Sequence, residues 1–280
     1  MADFDRSEDF LNFAHARFPG MTPKLFDTPL DASLGPATSY DRLVEIIPRS
    51  SHPLCILDLA CGDGFLCEEL LAKRGNIETL IGIDASPHEV EAARYRLRGR
   101  PVDLRQARAQ SLPLADASMD YVLSHMALML LDPLDEAVRE IARVLRPGGI
   151  FAAIVNARGV EGSLIEVYRG HYQRVARDHR LASFRQLGDP RARSADGLRE
   201  VFGTANGFEP VHLYPCDLTL RQTPDGVADI MVQSYEAYCL SDAGLTELHQ
   251  LLTRDFRRFA DEDGLVRCTM RLRQVIVRRL

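Results

Sequence analysis

The sequence predicts an α/β fold built on a doubly wound, mostly parallel sheet of seven strands. First, short apolar runs that suit buried strands alternate with segments of helical spacing between residues 54 and 155. Second, strands and helices that alternate at this spacing form right-handed βαβ units, which build a parallel sheet. Third, two later strand-like segments can add an antiparallel hairpin to one edge. We therefore expect a Rossmann-like sheet with an N-terminal arm and C-terminal helical insertions.

The individual elements follow from local sequence. Residues 54–60 (LCILDLA) form a continuous apolar run that ends in a glycine-rich turn. Ser86-Pro87 is a good cap and first-turn pair for a helix, and Asp132-Pro133 introduces a helix that should run to Arg146. The predicted strands are 54–60, 79–84, 102–107, 120–124, 150–155, 210–221 and 265–277. The other predicted helices are 65–73, 86–97, 160–179, 194–202, 225–240 and 245–261.

The chain divides into an arm and a main domain. Residues 1–48 are acidic and aromatic, and their phenylalanines space roughly as one helical face: Phe4, Phe10, Phe13 and Phe18. This helical arm either packs on the core or forms a lid over a ligand. Residues 49–280 form the main domain, whose core is 54–155. Insertions at about 156–195 and 222–262 are expected to cover a ligand pocket.

Composition excludes several classes of protein. The chain has 280 residues, 46% of them hydrophobic, and a net charge of −6, so it is neither disordered nor built around a membrane span. The beginning, MADFDRSEDF, lacks the pattern of a secretory signal, and a cytoplasmic location is expected. Six cysteines form no CxxC pair, which argues against a zinc site. A pI of about 5.8 makes nucleic acid an improbable partner.

The main chemical signal is the turn Asp58-Leu59-Ala60-Cys61-Gly62-Asp63-Gly64 after the first core strand. Gly62 and Gly64 permit positive φ and close backbone approach. The turn is neither a G-x-G-x-x-G dinucleotide fingerprint nor a P-loop. A short loop with an acid inside the strand end suits a ligand that has a cationic amino group and no pyrophosphate. Asp84 ends the second strand, where an acid can accept both hydroxyls of a ribose.

Four segments in order resemble the class I S-adenosylmethionine-dependent methyltransferases: DLACGDG, GIDAS, AQSLPLADASMDYVLS and RVLRPGG. The resemblance covers residues 54–155 and implies S-adenosyl-L-methionine as the cofactor. It implies that Tyr40, Asp58 and the backbone of Ala60, Cys61, Gly62 and Gly64 hold the methionine moiety. It implies that Asp84 holds the ribose, that Ala85, Ala109 and Gln110 lie at the adenine, and that Ser124 lies near the methyl donor. Ala60 replaces the family's middle glycine, and Arg108 stands where an acid is often found.

Motifs that are missing from the sequence restrict the class of molecule that accepts the methyl group. Ser124-His125-Met126-Ala127 follows the fourth strand in place of the segments that resemble adenine or cytosine methyltransferases. The paired glutamates of protein-arginine enzymes and the acids of metal-dependent catechol enzymes are also missing, so no catalytic metal is expected. Methyl transfer to a hydroxyl of a small molecule is favoured. A C- or N-methyltransferase of quinone or natural-product biosynthesis, with a carrier-bound acceptor included, an RNA- or protein-modifying enzyme and a non-catalytic binder of the cofactor remain alternatives.

A hydroxyl acceptor loses a proton as it attacks, and His125 is the best-placed candidate base, with His171 and His179 as second candidates. Tyr168 and Tyr172 lie one helical turn apart and, with His171, are candidates to contact the acceptor. The phenylalanines of the arm suggest an apolar or aromatic acceptor. The arginines at 94, 96, 98, 100, 105 and 108 are interpreted as a solvated face rather than a nucleic-acid site. The sequence leaves a homodimer open.

Overall fold

The computed structural model describes residues 2–18, 20–32, 35–49, 52–160 and 162–280. The N-terminal arm contains β1 (Ala2–Phe4), α1 (Ser7–Arg17), α2 (Met21–Phe26) and α3 (Ser39–Val44). The core contains β2 (Leu54–Leu59), α4 (Phe65–Lys73), β3 (Ile77–Asp84), α5 (Pro87–Arg96), β4 (Asp103–Gln106), β5 (Met119–His125), α6 (Leu134–Val144) and β6 (Leu145–Val160). The rest contains α7 (Ser163–His179), β7 (Ala182–Phe184), α8 (Ala195–Val201), β8 (His212–Pro215), β9 (Leu218–Gln222), α9 (Pro224–Met231), α10 (Asp242–Phe256) and β10 (Val266–Arg278).

One sheet of eight strands organises the main domain. Its order is β4-β3-β2-β5-β6-β10-β8, and β9 pairs with the other part of β10. The pairs from β4 to β6 are parallel, whereas β10 is antiparallel to β6, β8 and β9. The predicted α/β class and the antiparallel edge are therefore confirmed.

The strand count differs from the prediction because 210–221 forms two strands. Between β8 and β9, the carboxylate of Asp217 accepts the backbone N–H of Leu272 at 3.2 Å and pairs with Arg271 at 2.6 Å. A side chain thus takes a hydrogen bond that a strand residue would otherwise accept, and pairing with β10 resumes at Leu218. The pattern of apolar and polar residues in the sequence does not reveal this break between the two strands.

Several predicted boundaries are also wrong. The helix expected to reach Arg146 ends at Val144, because the chain is already extended at Leu145, where β6 begins. Arg146 instead pairs with Asp120 at 2.5 Å. The helix predicted from residue 160 begins at Ser163, since β6 continues to residue 160. The helix predicted for 225–240 ends at residue 231 and is followed by a short 3₁₀ turn.

Both faces of the sheet are covered, as a doubly wound fold requires. Ile56 and Leu57 are adjacent, fully buried and directed to opposite faces. On one face the strands pack against apolar residues of α3 and α4, and on the other against α6 and α8. This packing fixes the strand ends, and therefore fixes the positions of the residues that follow them.

The arm is attached to the C-terminal part of the chain. β1 pairs in parallel with β7, so Phe4 lies in a strand rather than on the predicted helical face. Phe10 is fully buried, with its ring centroid 4.4 Å from that of Phe184. Arg17 donates to the carbonyl oxygens of Tyr238 and Leu240 at 2.8 and 2.9 Å. These contacts hold α1 across the carboxyl ends of the core strands. The division at residue 48 stays a prediction.

No helix among the described residues combines the length and apolar character needed to cross a bilayer.

Candidate active site

A cavity lies at the carboxyl ends of β2, β3 and β5, where a parallel sheet binds its ligands. We call it the first cavity. The core contributes these lining residues: Asp58, Ala60, Cys61, Gly62, Asp63, Asp84, Ala85, Glu89, Ala109, Gln110, His125 and Met126. The arm contributes Ser7, Glu8, Leu11, Asn12, His15, Gly20, Thr22 and Tyr40. Asp58 and Asp84, from neighbouring strands, therefore face one cavity.

Asp58 is a buried carboxyl in the wall of this cavity. Its exposed fraction is 1%, and its Oδ2 accepts a hydrogen bond from the Cys67 thiol at 3.3 Å. Burial raises the pKa of Asp58 to about 7, the thiol opposes that shift, and the carboxylates of Asp84 and Asp63 add to it. A ligand cation beside Asp58 would favour its ionised form. The site therefore fits an ammonium group.

Asp84 organises the glycine-rich turn as well as facing the cavity. Its two carboxylate oxygens accept the backbone N–H of Gly62 at 2.9 Å and of Ser86 at 2.8 Å. Burial raises the pKa of Asp84, and these backbone N–H groups oppose that shift. Ala60 adopts a positive φ of 56°, so an alanine occupies the left-handed conformation where the family has glycine. The turn therefore holds this alanine in a conformation that residues other than glycine adopt uncommonly.

His125 forms part of the cavity wall in a fixed orientation. Its ring stacks on Tyr40 with centroids 3.8 Å apart, and its Nε2 lies 2.9 Å from Ser39 Oγ. Nδ1 has no hydrogen-bond partner among the residues that the structure describes. Burial lowers the pKa of His125 to about 3, so the ring is neutral at physiological pH. Burial also makes it a weaker proton acceptor than an exposed histidine.

The predicted adenine-binding residues also line the first cavity. Ala85, Ala109 and Gln110 are all part of its wall. Beside them, Arg108 forms an ion pair with Glu8 of the arm at 2.9 Å. Where the family often has an acid, this chain therefore has a basic residue that joins the core to the arm.

Two predicted cofactor residues do not line the cavity. Gly64 has a φ of 82° and caps α4, and a Cβ at this position would lie 2.7 Å from Leu97 Cδ1. The glycine is therefore needed for helix packing, and its contact with the cofactor stays a prediction. Ser124 is fully buried within β5, and its hydroxyl has no hydrogen-bond partner in the described part of the chain. Strand alternation directs it away from the cavity that its neighbour His125 lines.

A second cavity of about 590 Å³ adjoins the first. The arm lines it with His15, Phe18, Thr22, Leu25 and Phe26; the predicted insertions line it with Ile165, Tyr168, Arg169, Tyr172, Phe184, Leu187, Arg193, Ile230, Met231, Gln233, Ser234, Tyr235, Glu236 and Tyr238. Met126, Met129, Leu130 and Met270 complete the wall with Asn156 and Glu89. The lining is mostly apolar and aromatic, as in sites for small organic ligands.

Tyr168 and Tyr172 both line the second cavity, with nearly parallel rings 5.9 Å apart. His171, on the same helix, does not line it. Its Nε2 lies 2.7 Å from a carboxylate oxygen of Asp255, a contact between α7 and α10. His179 likewise contacts Ser241 at 3.2 Å and lines neither described cavity.

The six residues that line both cavities were not predicted as site residues from the sequence: His15, Thr22, Glu89, Met126, Leu130 and Tyr235. Burial raises the pKa of Glu89 to about 7 and lowers the pKa of His15 to about 4. Glu89 stands three residues after the helix cap Ser86, which is a capping-box position, but its carboxylate instead accepts the N–H of Gly20 at 3.1 Å. Only contact with the distant arm reveals its position in the site.

Among the described residues, one group has the geometry to hold a cation. The side-chain oxygens of Asp225 and Asp229 and a ring nitrogen of His249 lie within 4.8 Å of one another, and both carboxyl groups are exposed. These residues lie between α9 and α10 and line neither cavity. The expectation that no metal takes part in catalysis stays a prediction.

Comparison with known proteins identifies the domain. Residues 57–153 match a family model described as a methyltransferase domain. An uncharacterized methyltransferase of Mycobacterium tuberculosis (strain H37Rv) is 28% identical over 66% of this chain and 65% of that protein. The chain thus spans less than two thirds of the length of this curated relative. A malonyl-[acyl-carrier protein] O-methyltransferase of Halorhodospira halophila is 34% identical over 53% of this chain and 50% of that protein. A demethylmenaquinone methyltransferase of Desulfitobacterium hafniense is 32% identical over 38% of this chain and 43% of that protein.

Solved structures share the fold. The YcgJ protein from Bacillus subtilis superimposes with a TM-score of 0.55 at 18% identity, covering 86% of this chain and 97% of that one. A phosphoethanolamine N-methyltransferase of Haemonchus contortus, solved with S-adenosylhomocysteine, superimposes with a TM-score of 0.56 at 15% identity. The superposition covers 99% of this chain and 60% of that one.

The family match over residues 57–153 and the four ordered motifs identify the core of this chain as a methyltransferase domain of the class I S-adenosylmethionine-dependent type, and the strand-end cavity lies within that domain. The resemblance seen in the sequence is therefore confirmed for this domain, whose family uses S-adenosylmethionine as its cofactor.

Proposed function

We propose that this chain methylates a hydroxyl group of a small apolar or aromatic molecule, without a metal. The observation that supports this reaction most directly is the junction of two cavities. The first cavity contains the two predicted cofactor carboxylates, and the second is an apolar space formed by the arm and the C-terminal insertions. A methyl donor in one and an acceptor in the other would meet at the residues that line both.

Within this proposal, the first cavity holds the cofactor. Asp58 would bind the ammonium group of the methionine moiety, Asp84 the ribose hydroxyls, and Ala85, Ala109 and Gln110 the adenine. Tyr40 and the backbone at residues 60–62 would complete the methionine site. The cofactor supplies an activated methyl group, and the chain supplies alignment and exclusion of water. Gly64 would act only through packing.

The acceptor occupies the second cavity in this proposal. Methionine and aromatic side chains around it suit a flat apolar molecule, because their surfaces adapt to rings without needing hydrogen bonds. Tyr168 and Tyr172 would contact its ring, and Met126 would separate it from the cofactor. Attack on the methyl group must be in line with the bond that breaks, so the wall at Met126 and Leu130 would set the approach.

Two groups are proposed for removal of the acceptor proton. Nδ1 of His125, which has no protein partner, is the candidate from the sequence. Glu89 is the candidate added by the structure, because it lines both cavities and burial raises its pKa to about 7. A base whose pKa lies near the working pH transfers protons most effectively. That argument favours Glu89.

A second candidate function is C-methylation of a quinone-like ring. The demethylmenaquinone relative and the aromatic lining of the second cavity favour it. The malonyl-carrier relative instead supports transfer to oxygen on a carrier-bound acceptor. An RNA or protein acceptor is less well supported, since the second cavity has an apolar lining. A cytoplasmic location and a homodimer stay predictions.

The decisive test is product formation. The full chain, with S-adenosylmethionine labelled in its methyl group, is incubated with matched phenols, quinols and anilines, and products are identified by mass spectrometry. We expect label on a phenolic oxygen and micromolar binding of S-adenosylhomocysteine by titration calorimetry. Label only on ring carbon would replace the first candidate by the second. Binding without turnover on any acceptor would favour a non-catalytic role.

A further inference from the structure

We propose that the acceptor carries a carboxylate and that Arg193 binds it. This inference rests on the proposed function, because it takes the second cavity as the acceptor site. It adds a chemical class to that site, namely a flat apolar molecule with one anionic group.

The position of Arg193 is fixed by its backbone. It ends the 3₁₀ turn Pro190–Arg193, in which Ala192 is fully buried in the core. Its carbonyl oxygen accepts a hydrogen bond from Arg273 at 3.2 Å. The next residue, Ser194, caps α8 through the N–H of Gly197 at 3.0 Å. With the backbone held on both sides, the side chain of Arg193 lines the second cavity.

Arg191, on the same turn, shows how an arginine is satisfied in this part of the fold. Its guanidinium pairs with carboxylates of Asp189, Asp135 and Glu200 at 2.7, 2.8 and 3.1 Å. The Arg193 guanidinium makes no hydrogen bond or ion pair with any described residue, although it is partly buried. The two arginines stand two positions apart, and only the one that faces the cavity lacks a carboxylate.

The surroundings of Arg193 make this difference informative. The acidic, basic and histidine side chains that line the cavity with it are Arg169 and Glu236, both exposed, and Glu89 and His15 at the junction. Burial lowers the pKa of Arg193, and Glu236 and Tyr235 oppose that shift, although neither side chain pairs with the guanidinium in the described part of the chain. A guanidinium partly removed from water without a partner costs free energy. A ligand carboxylate would repay that cost with two parallel hydrogen bonds, which the planar guanidinium is shaped to donate.

The test compares two probes of the same shape, 2-naphthoate and its neutral amide, 2-naphthamide. The full chain saturated with S-adenosylhomocysteine is titrated into each, and naphthalene fluorescence is read directly because the chain contains no tryptophan. We expect the carboxylate to bind at least about tenfold more tightly than the amide, since hydrogen bonds to charged groups contribute about 1.5–3 kcal/mol. The preference should weaken as ionic strength rises.

The variant Arg193→Gln should bring the two dissociation constants together. Arg193→Lys should keep part of the preference, because the charge remains but the bidentate geometry is lost. Arg185→Gln is the matched control, since it removes an exposed arginine that lines neither cavity. Unchanged binding of S-adenosylhomocysteine verifies that each variant is folded.

Equal binding of the two probes to the unaltered chain, or no binding of 2-naphthoate at millimolar concentration, would overturn the proposal. So would a preference that survives in Arg193→Gln. If the proposed function fails but this inference holds, the experiments give a different result. In that case 2-naphthoate binds through Arg193, but no methylated product forms from hydroxylated naphthoates or naphthamides in the presence of S-adenosylmethionine.

Discussion

Glu89 Oε1 accepts a hydrogen bond from the backbone N–H of Gly20 at 3.1 Å. This contact joins the first turn of α5 to the segment between α1 and α2, so it connects the cofactor-binding core to the arm. The same carboxyl group lines both cavities. A residue in this position can respond to cofactor, acceptor and arm together.

We expect the rate of O-methylation to depend on ionisation of Glu89. A base acts when deprotonated, so kcat/KM should rise with pH through about 7 and level off above about 8, in line with a pKa raised to about 7 by burial. Glu89→Gln should lower kcat/KM by about 10²–10⁴-fold and flatten the profile. The measurement is kcat/KM between pH 5 and 9, with S-adenosylhomocysteine affinity as the folding control.

If His125 is the base instead, we expect a different dependence of the rate on pH. Its pKa is lowered to about 3, so a reaction that uses His125 as base would show no change in rate through neutral pH. A flat profile together with inactive His125→Ala and near-normal Glu89→Gln would assign proton removal to His125. Near-normal turnover of His125→Ala with intact cofactor affinity would leave it a role in the cavity wall beside Tyr40.

Asp58→Asn should stabilise the protein in the absence of added cofactor. Burial raises the pKa of Asp58 from 3.8 to about 7. A raised pKa favours folding below the unfolded value of 3.8, and this contribution is lost as pH rises through about 7. At pH 8 the ionised carboxyl therefore destabilises the fold, by at most about 4 kcal/mol at about 1.4 kcal/mol per pKa unit. Asparagine removes that charge and can still accept the hydrogen bond of Cys67.

Urea unfolding at pH 4 and pH 8 measures this effect. Asp58→Asn should unfold at higher urea than the unaltered chain at pH 8, and the difference should shrink towards pH 4. Asp196→Asn, at an exposed carboxyl, is the matched control and should change little at either pH. The variant should also bind S-adenosylhomocysteine more weakly. Equal or lower stability at pH 8 would show that the buried carboxyl is not the costly group inferred here.

Local signals were sufficient to predict the strand ends and the residues that follow them. Asp58 and Asp84 could be placed because an apolar run fixes each strand and parallel strands bring their ends together. Glu89 and Arg193 could not be recognised, because each owes its position to segments far away in the chain. The break between β8 and β9 was missed for a related reason, since it depends on the hydrogen bond that the Asp217 carboxylate accepts from the backbone N–H of Leu272.

Gly64 has a packing role in the structure that its place in the glycine-rich motif does not reveal. Its φ of 82° disfavours any residue with a Cβ, and the added Cβ would also lie 2.7 Å from Leu97 Cδ1. Gly99 has a similar φ of 75°, but no atom lies within 4 Å of its added Cβ. Alanine at Gly99 would therefore destabilise the fold through backbone strain alone, whereas alanine at Gly64 would add the free energy of a steric clash.

Gly99→Ala should destabilise the fold by about 1–2 kcal/mol through the backbone alone. Gly64→Ala should cost a further ~1–3 kcal/mol, because Leu97 must move out of a packed interface. Urea unfolding of both variants at neutral pH gives the two values. Titration of S-adenosylhomocysteine at a temperature where both are folded should give nearly unchanged affinity, since Gly64 does not line the first cavity. Loss of cofactor affinity in Gly64→Ala, at a stability equal to that of Gly99→Ala, would instead place this glycine against the ligand.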